Sequence, residues 1–189
     1  MACNHTHARG LTCSKCRDAT PLMGLICVGS YTSPLLQRGI NWLKFKGITA
    51  TAKPLAELLL PRLSVIAPLE QLQEQAVLVP IPLHQRRLRE RGFNQSAELA
   101  HHLSNLTGIE TASLLNRPKA TWTQSHLPKE LRSQNVAGIF AYSGAARPSK
   151  PLAIILDDVT TSGSTLTAAA YVLKKAGFPL LWGATIARG

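Results

Sequence analysis

Two adjacent carboxylates, Asp157 and Asp158, lead through Val159 and Thr160 into Thr161-Ser162-Gly163-Ser164-Thr165. Neighbouring carboxylates repel, so the pair needs a hydrogen-bond donor or a cation facing it. The apolar stretch 152–156 before it reads as a buried strand. After it, Leu166, Ala169, Ala170, Leu173 and Ala176 recur at helical period, with Gly177 as terminator. A turn that opens a helix points backbone N–H groups outward and cradles a phosphate. Gly163 lets the backbone approach the anion closely, and the hydroxyls of Thr161, Ser162, Ser164 and Thr165 add donors. The carboxylates cannot bind that phosphate; a sugar with vicinal hydroxyls, accompanied by Mg²⁺, suits them.

A second cluster is cationic. Arg86, Arg87, Arg89 and Arg91 crowd together against one acid, Glu90. Guanidinium forks match phosphate oxygens in pairs, so this density suits pyrophosphate or a nucleic-acid backbone, although most charge runs are solvated loops. Lys119, Lys129 and Arg132 add a basic segment downstream. Arg38, Lys44, Lys46 and Lys53 form a separate basic region, the alternative surface for a nucleic-acid strand if that strand and a small phosphate ligand bind at the same time. The formal net charge of +11 points to phosphate-bearing partners. Trp42, Trp122 and Trp182 are too dispersed along the chain to make a base-stacking platform by themselves, though Trp122 lies in the basic segment.

Cys13 and Cys16 have the spacing of a zinc knuckle, and Cys3 and His7 stand within chelating distance of each other upstream. The expected structural zinc ligands are Cys3, His7, Cys13 and Cys16, with His5 as the alternative to His7. A reducing compartment keeps such cysteines as thiols. Cys27, in an apolar run, reads as a small core residue, and His101 and His102 as surface positions.

The elements that must position these groups alternate. At 189 residues and 45% hydrophobic content the chain can bury a core, and its length favours one domain with a small appendage. Residues 1–22, poor in large apolar side chains, form that appendage, and 23–189 the main domain. No apolar run reaches the length of a bilayer span, and the N-terminus lacks the apolar core of a secretory signal, so a cytoplasmic protein is expected. "GLICVGSY" reads as a strand. Ser33 and Pro34 open a helix that buries Leu36, Ile40 and Leu43 and stops at Gly47. "AVLVPI" is a doubly buried strand, followed by a turn at 81–95 and a helix with Ala97, Ala100, Leu103 and Leu106 inward and Gly108 as its end. Residues 117–138 read as a loop and "PLLWGATIA" as the last strand. Such alternation predicts an α/β fold with a parallel sheet flanked by helices, binding ligands beyond the carboxyl ends of its strands.

The run of apolar residues, Asp157-Asp158, Val159 and "TTSGST" resembles the phosphoribosyl-pyrophosphate motif of type I phosphoribosyltransferases. Thr160 departs from it, in a position usually aliphatic, as does Ser162, usually Thr. "VPIPLHQRRLRERGFNQSAELA", "LKFKG" and "RPKATWTQSHLPKELRSQNVAGIF" are similar to segments of the ComF family, including its GntX branch, phosphoribosyltransferase-like proteins linked to DNA uptake in natural transformation. The likeness covers nearly the whole chain. It implies a phosphoribosyltransferase-like core and a phosphoribosyl-pyrophosphate site made of Asp157, Asp158, Thr160, Thr161, Ser162, Gly163, Ser164 and Thr165 with Arg86 and Arg91. Asp157 and Asp158 would be its catalytic carboxylates, steadying ribose hydroxyls or hydrated Mg²⁺. Thr6 stands where that family has a zinc cysteine, which is why a histidine is expected to complete the site. Single-stranded DNA would meet Arg86, Arg87, Arg89, Arg91, Lys119, Lys129 and Arg132. The other reading is an orthodox transferase acting on a small acceptor; nothing in residues 31–75 identifies one.

Overall fold

β-branched and leucine-rich runs without polar interruption are stable only when covered on both faces, and here they form the middle of a parallel sheet. A computed structural model describes residues 10–118, 138–144 and 149–189. Among these, β1 (Gly24–Ser30), β2 (Ala76–Pro80), β3 (Glu110–Thr111), β6 (Leu152–Thr160) and β7 (Leu180–Arg188) pair in the order β1-β7-β6-β2-β3, every pair parallel. A small antiparallel pair, β4 (Leu115–Asn116) with β5 (Ala141–Tyr142), stands apart. The expected α/β architecture with a helix-flanked parallel sheet is present.

Alternation along the strands divides the core. Leu152, Ile154 and Leu156 of β6 face one side with α2 (Pro34–Phe45), α3 (Ala52–Leu59), α4 (Leu69–Gln75) and α6 (Gln95–Thr107). Ala153 and Ile155 face the other, with α7 (Ser164–Lys175), Leu115, Phe140 and Leu22. A short α1 (Ser14–Arg17) precedes the sheet, and the segment before β1 is tied to it: Leu25 N–H donates to the Gly10 carbonyl at 2.8 Å and Met23 N–H to that of Leu181 at 2.8 Å. No helix among the described residues is long and apolar enough to cross a membrane.

Several expectations need adjustment. The strand at 152–156 continues to Thr160, paired on one side with β7 as far as Arg188. Residues 49–75, unread in the sequence, hold α3, α4 and two 3-10 segments. The arginine run is a short helix, α5 (Gln85–Arg91), rather than a turn. On α6 the buried side chains are Gln95, Ser96, Leu99, Ala100, Leu103 and Thr107; Leu106 is exposed and Ala97 only partly covered. Thr107 enters the core because its Oγ1 donates to the Leu103 carbonyl at 2.7 Å, which satisfies a buried hydroxyl that reads as polar in sequence. On α7 four of the expected positions are buried, while Ala176 caps the helix half-exposed. Cys27 is half-covered, its Sγ 3.0 Å from the Gly29 carbonyl oxygen.

Candidate functional site

β2 stops opposite Leu156, where Ile81 N–H still donates to the Leu156 carbonyl at 2.9 Å, whereas β6 runs on for another turn of pleat. The chain from β2 leads to β3 on one side, and β6 lies on the other, so the strand order reverses between β2 and β6. A crevice opens at that reversal beyond the carboxyl ends, the place where parallel sheets bind ligands. Asp157 and Asp158 line it.

Asp158 is almost wholly buried. Its carboxylate pairs with the Lys44 ammonium from the end of α2 and accepts from Gln95 Nε2 at 3.4 Å. Asp157 is half-buried, and its Oδ1 accepts from Ser96 Oγ at 3.1 Å and from the Asp158 N–H at 2.9 Å. Burial and the neighbouring Asp158 carboxylate push Asp157 up to about 7, with Lys44 pulling the other way. The first turn of α6 is therefore the second wall of the crevice. Asn94 fixes it there, accepting from Ser96 N–H at 3.1 Å and donating to the Ile81 carbonyl at 2.9 Å. Asn94 has an ordinary extended backbone and acts as a helix cap; the left-handed residue nearby is Gly92, with φ of 84°.

The hydroxyl turn follows directly. Thr160 is the last residue of β6 and is buried, Thr161 is exposed, and Ser162 to Thr165 are partly covered. Gly163 sits at the N-cap of α7 with φ of 75°, and a Cβ built there would meet nothing within 4 Å. The glycine is thus required by its left-handed backbone, and the space beside it is open. Ser162 and Ser164 hydroxyls lie 2.9 Å apart at the rim.

The four arginines of α5 do not act as one cluster. Arg86 pairs with Glu90 at 2.9 Å, both exposed. Arg89 is exposed as well, while Arg91 is half-buried, donates to Gln95 Oε1 and lies 5.8 Å from the Phe45 ring centroid. Burial makes the Arg91 charge less favourable, Asp158 offsets this, and Arg87 adds to the cost. Arg117, which the sequence reading left out of the site, behaves in the same way: burial and Arg87 oppose its charge, and Asp157 favours it. It also stacks 5.6 Å from the Phe140 ring centroid. Arg87, Arg91 and Arg117 therefore share one electrostatic neighbourhood with the carboxylates, and Arg86 looks to Glu90. By sequence Lys44 belongs to a separate basic region, and only its ion pair with Asp158 reveals its place. Its one sequence signal is its position in "LKFKG".

Cys13 and Cys16 sit within one turn, the Cys16 N–H donating to the Cys13 carbonyl at 3.0 Å. Cys3, His5 and His7, with Lys119, Trp122, Lys129 and Arg132, lie outside the described residues. No cluster of three or more metal-binding side chains occurs among the described ones.

No family model matches the chain. It is similar to DNA utilization protein YhgH of Salmonella typhimurium, 35% identical over 170 residues that span 88% of this chain and 73% of that protein. The YhgH protein of Escherichia coli is 33% identical over 179 residues, 94% of this chain and 76% of its own length. Competence protein F of Haemophilus influenzae is 31% identical over 180 residues, 90% of this chain and 76% of its own length. Likeness of this extent to both kinds of relative makes the chain a member of the ComF family.

Proposed function

We infer that this protein serves DNA uptake in natural transformation, binding phosphoribosyl pyrophosphate with Mg²⁺ in the crevice and single-stranded DNA on its basic surface. The names of its relatives, a competence protein and DNA utilization proteins, support the first part. The observation that carries the second is the juxtaposition of Asp157 and Asp158 with the open turn at Gly163. Phosphate on the turn leaves the sugar hydroxyls toward the carboxylates, and Arg91 and Arg117 balance the negative charge of a pyrophosphate.

The two carboxylates divide the work. Both oxygens of Asp158 are engaged, by Gln95 and Lys44, so it holds the crevice in shape. The hydrogen bonds from Ser96 and from the Asp158 N–H end on Oδ1 of Asp157, and its carboxyl, on the less buried of the two residues, would meet a ribose hydroxyl or a water of hydrated Mg²⁺. A carboxylate facing an arginine-lined crevice fits a hydrated ion better than direct coordination at Asp158, which would have to displace Lys44. Mg²⁺, when bound, draws negative charge onto a leaving pyrophosphate. A structural zinc on Cys13 and Cys16 with Cys3 and His7 belongs to the same proposal.

The test is thermal. Phosphoribosyl pyrophosphate with Mg²⁺ at a hundred times its dissociation constant adds about 2.7 kcal/mol to the folded state and raises the melting temperature. Asp157→Asn with Asp158→Asn should abolish that rise relative to its own ligand-free baseline. An undiminished rise in the double variant sinks the assignment. Pyrophosphate released only on adding a nucleobase or amine would favour the small-acceptor transferase.

A further inference from the structure

The outer face of α2 carries side chains that a core-packing helix does not need. Leu36, Ile40 and Leu43 point inward, while Leu35, Trp42 and Phe45 are exposed, Phe45 at 73%. At 100° per residue, Leu35, Arg38, Trp42 and Phe45 fall on one narrow stripe opposite the buried face. Each aromatic ring on it has an arginine over it: Arg38 lies 5.7 Å from the Trp42 ring centroid and Arg91 5.8 Å from that of Phe45. The stripe thus starts at the crevice, where Lys44, next to Phe45, pairs with Asp158, and runs outward along the helix.

We propose that this stripe is a base-stacking track for single-stranded nucleic acid, with Phe45 and Trp42 taking successive bases and Arg38, Arg91 and Lys46 meeting the phosphates. This rests on the single-stranded DNA reading above and locates it. Charge decides between a nucleic acid and a protein as the occupant. From Asp18 to Glu57 the chain contains no intervening carboxylate, while Arg38, Lys44, Lys46 and Lys53 all fall in that interval. A protein-binding face normally mixes signs at its rim; a stripe whose two rings are flanked by cations, with Leu35 at its far end, matches a polyanion with flat bases. The two rings are offset by about 4.5 Å along the helix axis, of the order of the ~3.4 Å rise between stacked bases. Phe45, three residues on, gives Trp42 the neighbouring ring that the dispersed tryptophans do not; Trp182, by contrast, is buried in the core.

Fluorescence anisotropy with a labelled oligothymidylate, and with an abasic oligomer of equal length, tests the track. Wild-type protein should bind the oligothymidylate more tightly than the abasic strand. Phe45→Ala and Trp42→Ala should each weaken the former about tenfold, leave the latter unchanged and leave the slope against log salt unchanged, since no phosphate contact is removed. Phe45→Tyr should restore binding, whereas Phe45→Leu should not, because an aliphatic side chain keeps apolar area but has no π face. Equal affinity for both oligomers, or full binding by Phe45→Leu, overturns the track and makes the stripe an apolar protein contact. If wild-type protein binds neither oligomer at low salt, the single-stranded DNA reading fails and the track with it; binding that the α2 variants leave untouched refutes the track alone.

Discussion

The carboxylate end of β6 and the arginine helix α5 carry opposite charge a short way apart, and the fold treats them differently. Asp157 and Asp158 are set in a strand hydrogen-bonded along β7, so neither can move away from the other. The cost of their repulsion is met by a lysine, a glutamine and a serine delivered from α2 and α6. The arginines stand on a seven-residue helix with no buried residue, and two of them relax toward separate partners: Arg86 to Glu90, Arg91 to Gln95 and Phe45. Charges held on a rigid, partly dry scaffold store electrostatic free energy; charges on an exposed helix dissipate it into water.

The sharpest way to break this contrast is Lys44→Ala. It leaves Asp158 buried without its cation, and removing one partner of a buried pair costs about 3 kcal/mol. Urea unfolding should show that loss, and Lys44→Met combined with Asp158→Asn should recover most of it. A loss within ~0.5 kcal/mol would mean that water, not Lys44, compensates Asp158.

A smaller effect of opposite sign is expected at Asp157. Because its folded pKa lies near 7, above the unfolded value near 3.8, the folded state holds the extra proton between those limits. Stability therefore falls as pH rises from about 4 to 7 and levels off above. Asp157→Asn should flatten that segment and stabilise the ligand-free protein at pH 8 by about 1–2 kcal/mol, less than the ~4 kcal/mol that a shift of this size corresponds to, because the neutral amide oxygen accepts the bonds from the Ser96 hydroxyl and the Asp158 N–H more weakly; it should also impair the site. Melting curves of both proteins from pH 4 to 8 check the sign; a wild-type stability that rises with pH across this range, with the variant flat, would contradict it.

Gly163→Ala probes the turn that follows the carboxylate strand. No atom obstructs the new methyl group, so the cost is that of a left-handed backbone, about 1 kcal/mol. Arg86→Ala marks the bottom of the scale. Its pair with Glu90 is exposed, so the change in stability should stay within ~0.5 kcal/mol. Chemical denaturation of both variants checks the order, and a larger loss for Arg86→Ala would reverse the contrast between strand and helix.

Local signals on this chain were clear wherever one element carried its own evidence. Ser33, Pro34 and the Leu36, Ile40, Leu43 spacing specify α2 because backbone and packing demands coincide there. The strand before Asp157 and the helix after Gly163 are equally plain, since one is all apolar and the other amphipathic. The parallel sheet follows from their alternation. Family likeness in the acid–hydroxyl turn could be read from the same residues.

What tertiary structure alone decided is which distant residues meet. Nothing local in "LKFKG" says that Lys44 reaches Asp158, that Phe45 stays exposed or that Arg91 covers it; those pairings depend on where α2 and α5 land over the end of the sheet. The same holds for Arg117, whose sequence neighbours suggested only a loop, and for Ser96 and Gln95, polar residues buried because a carboxylate waits for them. Periodicity records the average polarity of a face, and a buried donor with one fixed acceptor is invisible to it. The sequence thus determined the core strands, the helices α2, α6 and α7 and the residue types at the turn, and long-range packing determined the charge balance of the crevice, because Coulomb energy and desolvation depend on distances that only the folded chain defines.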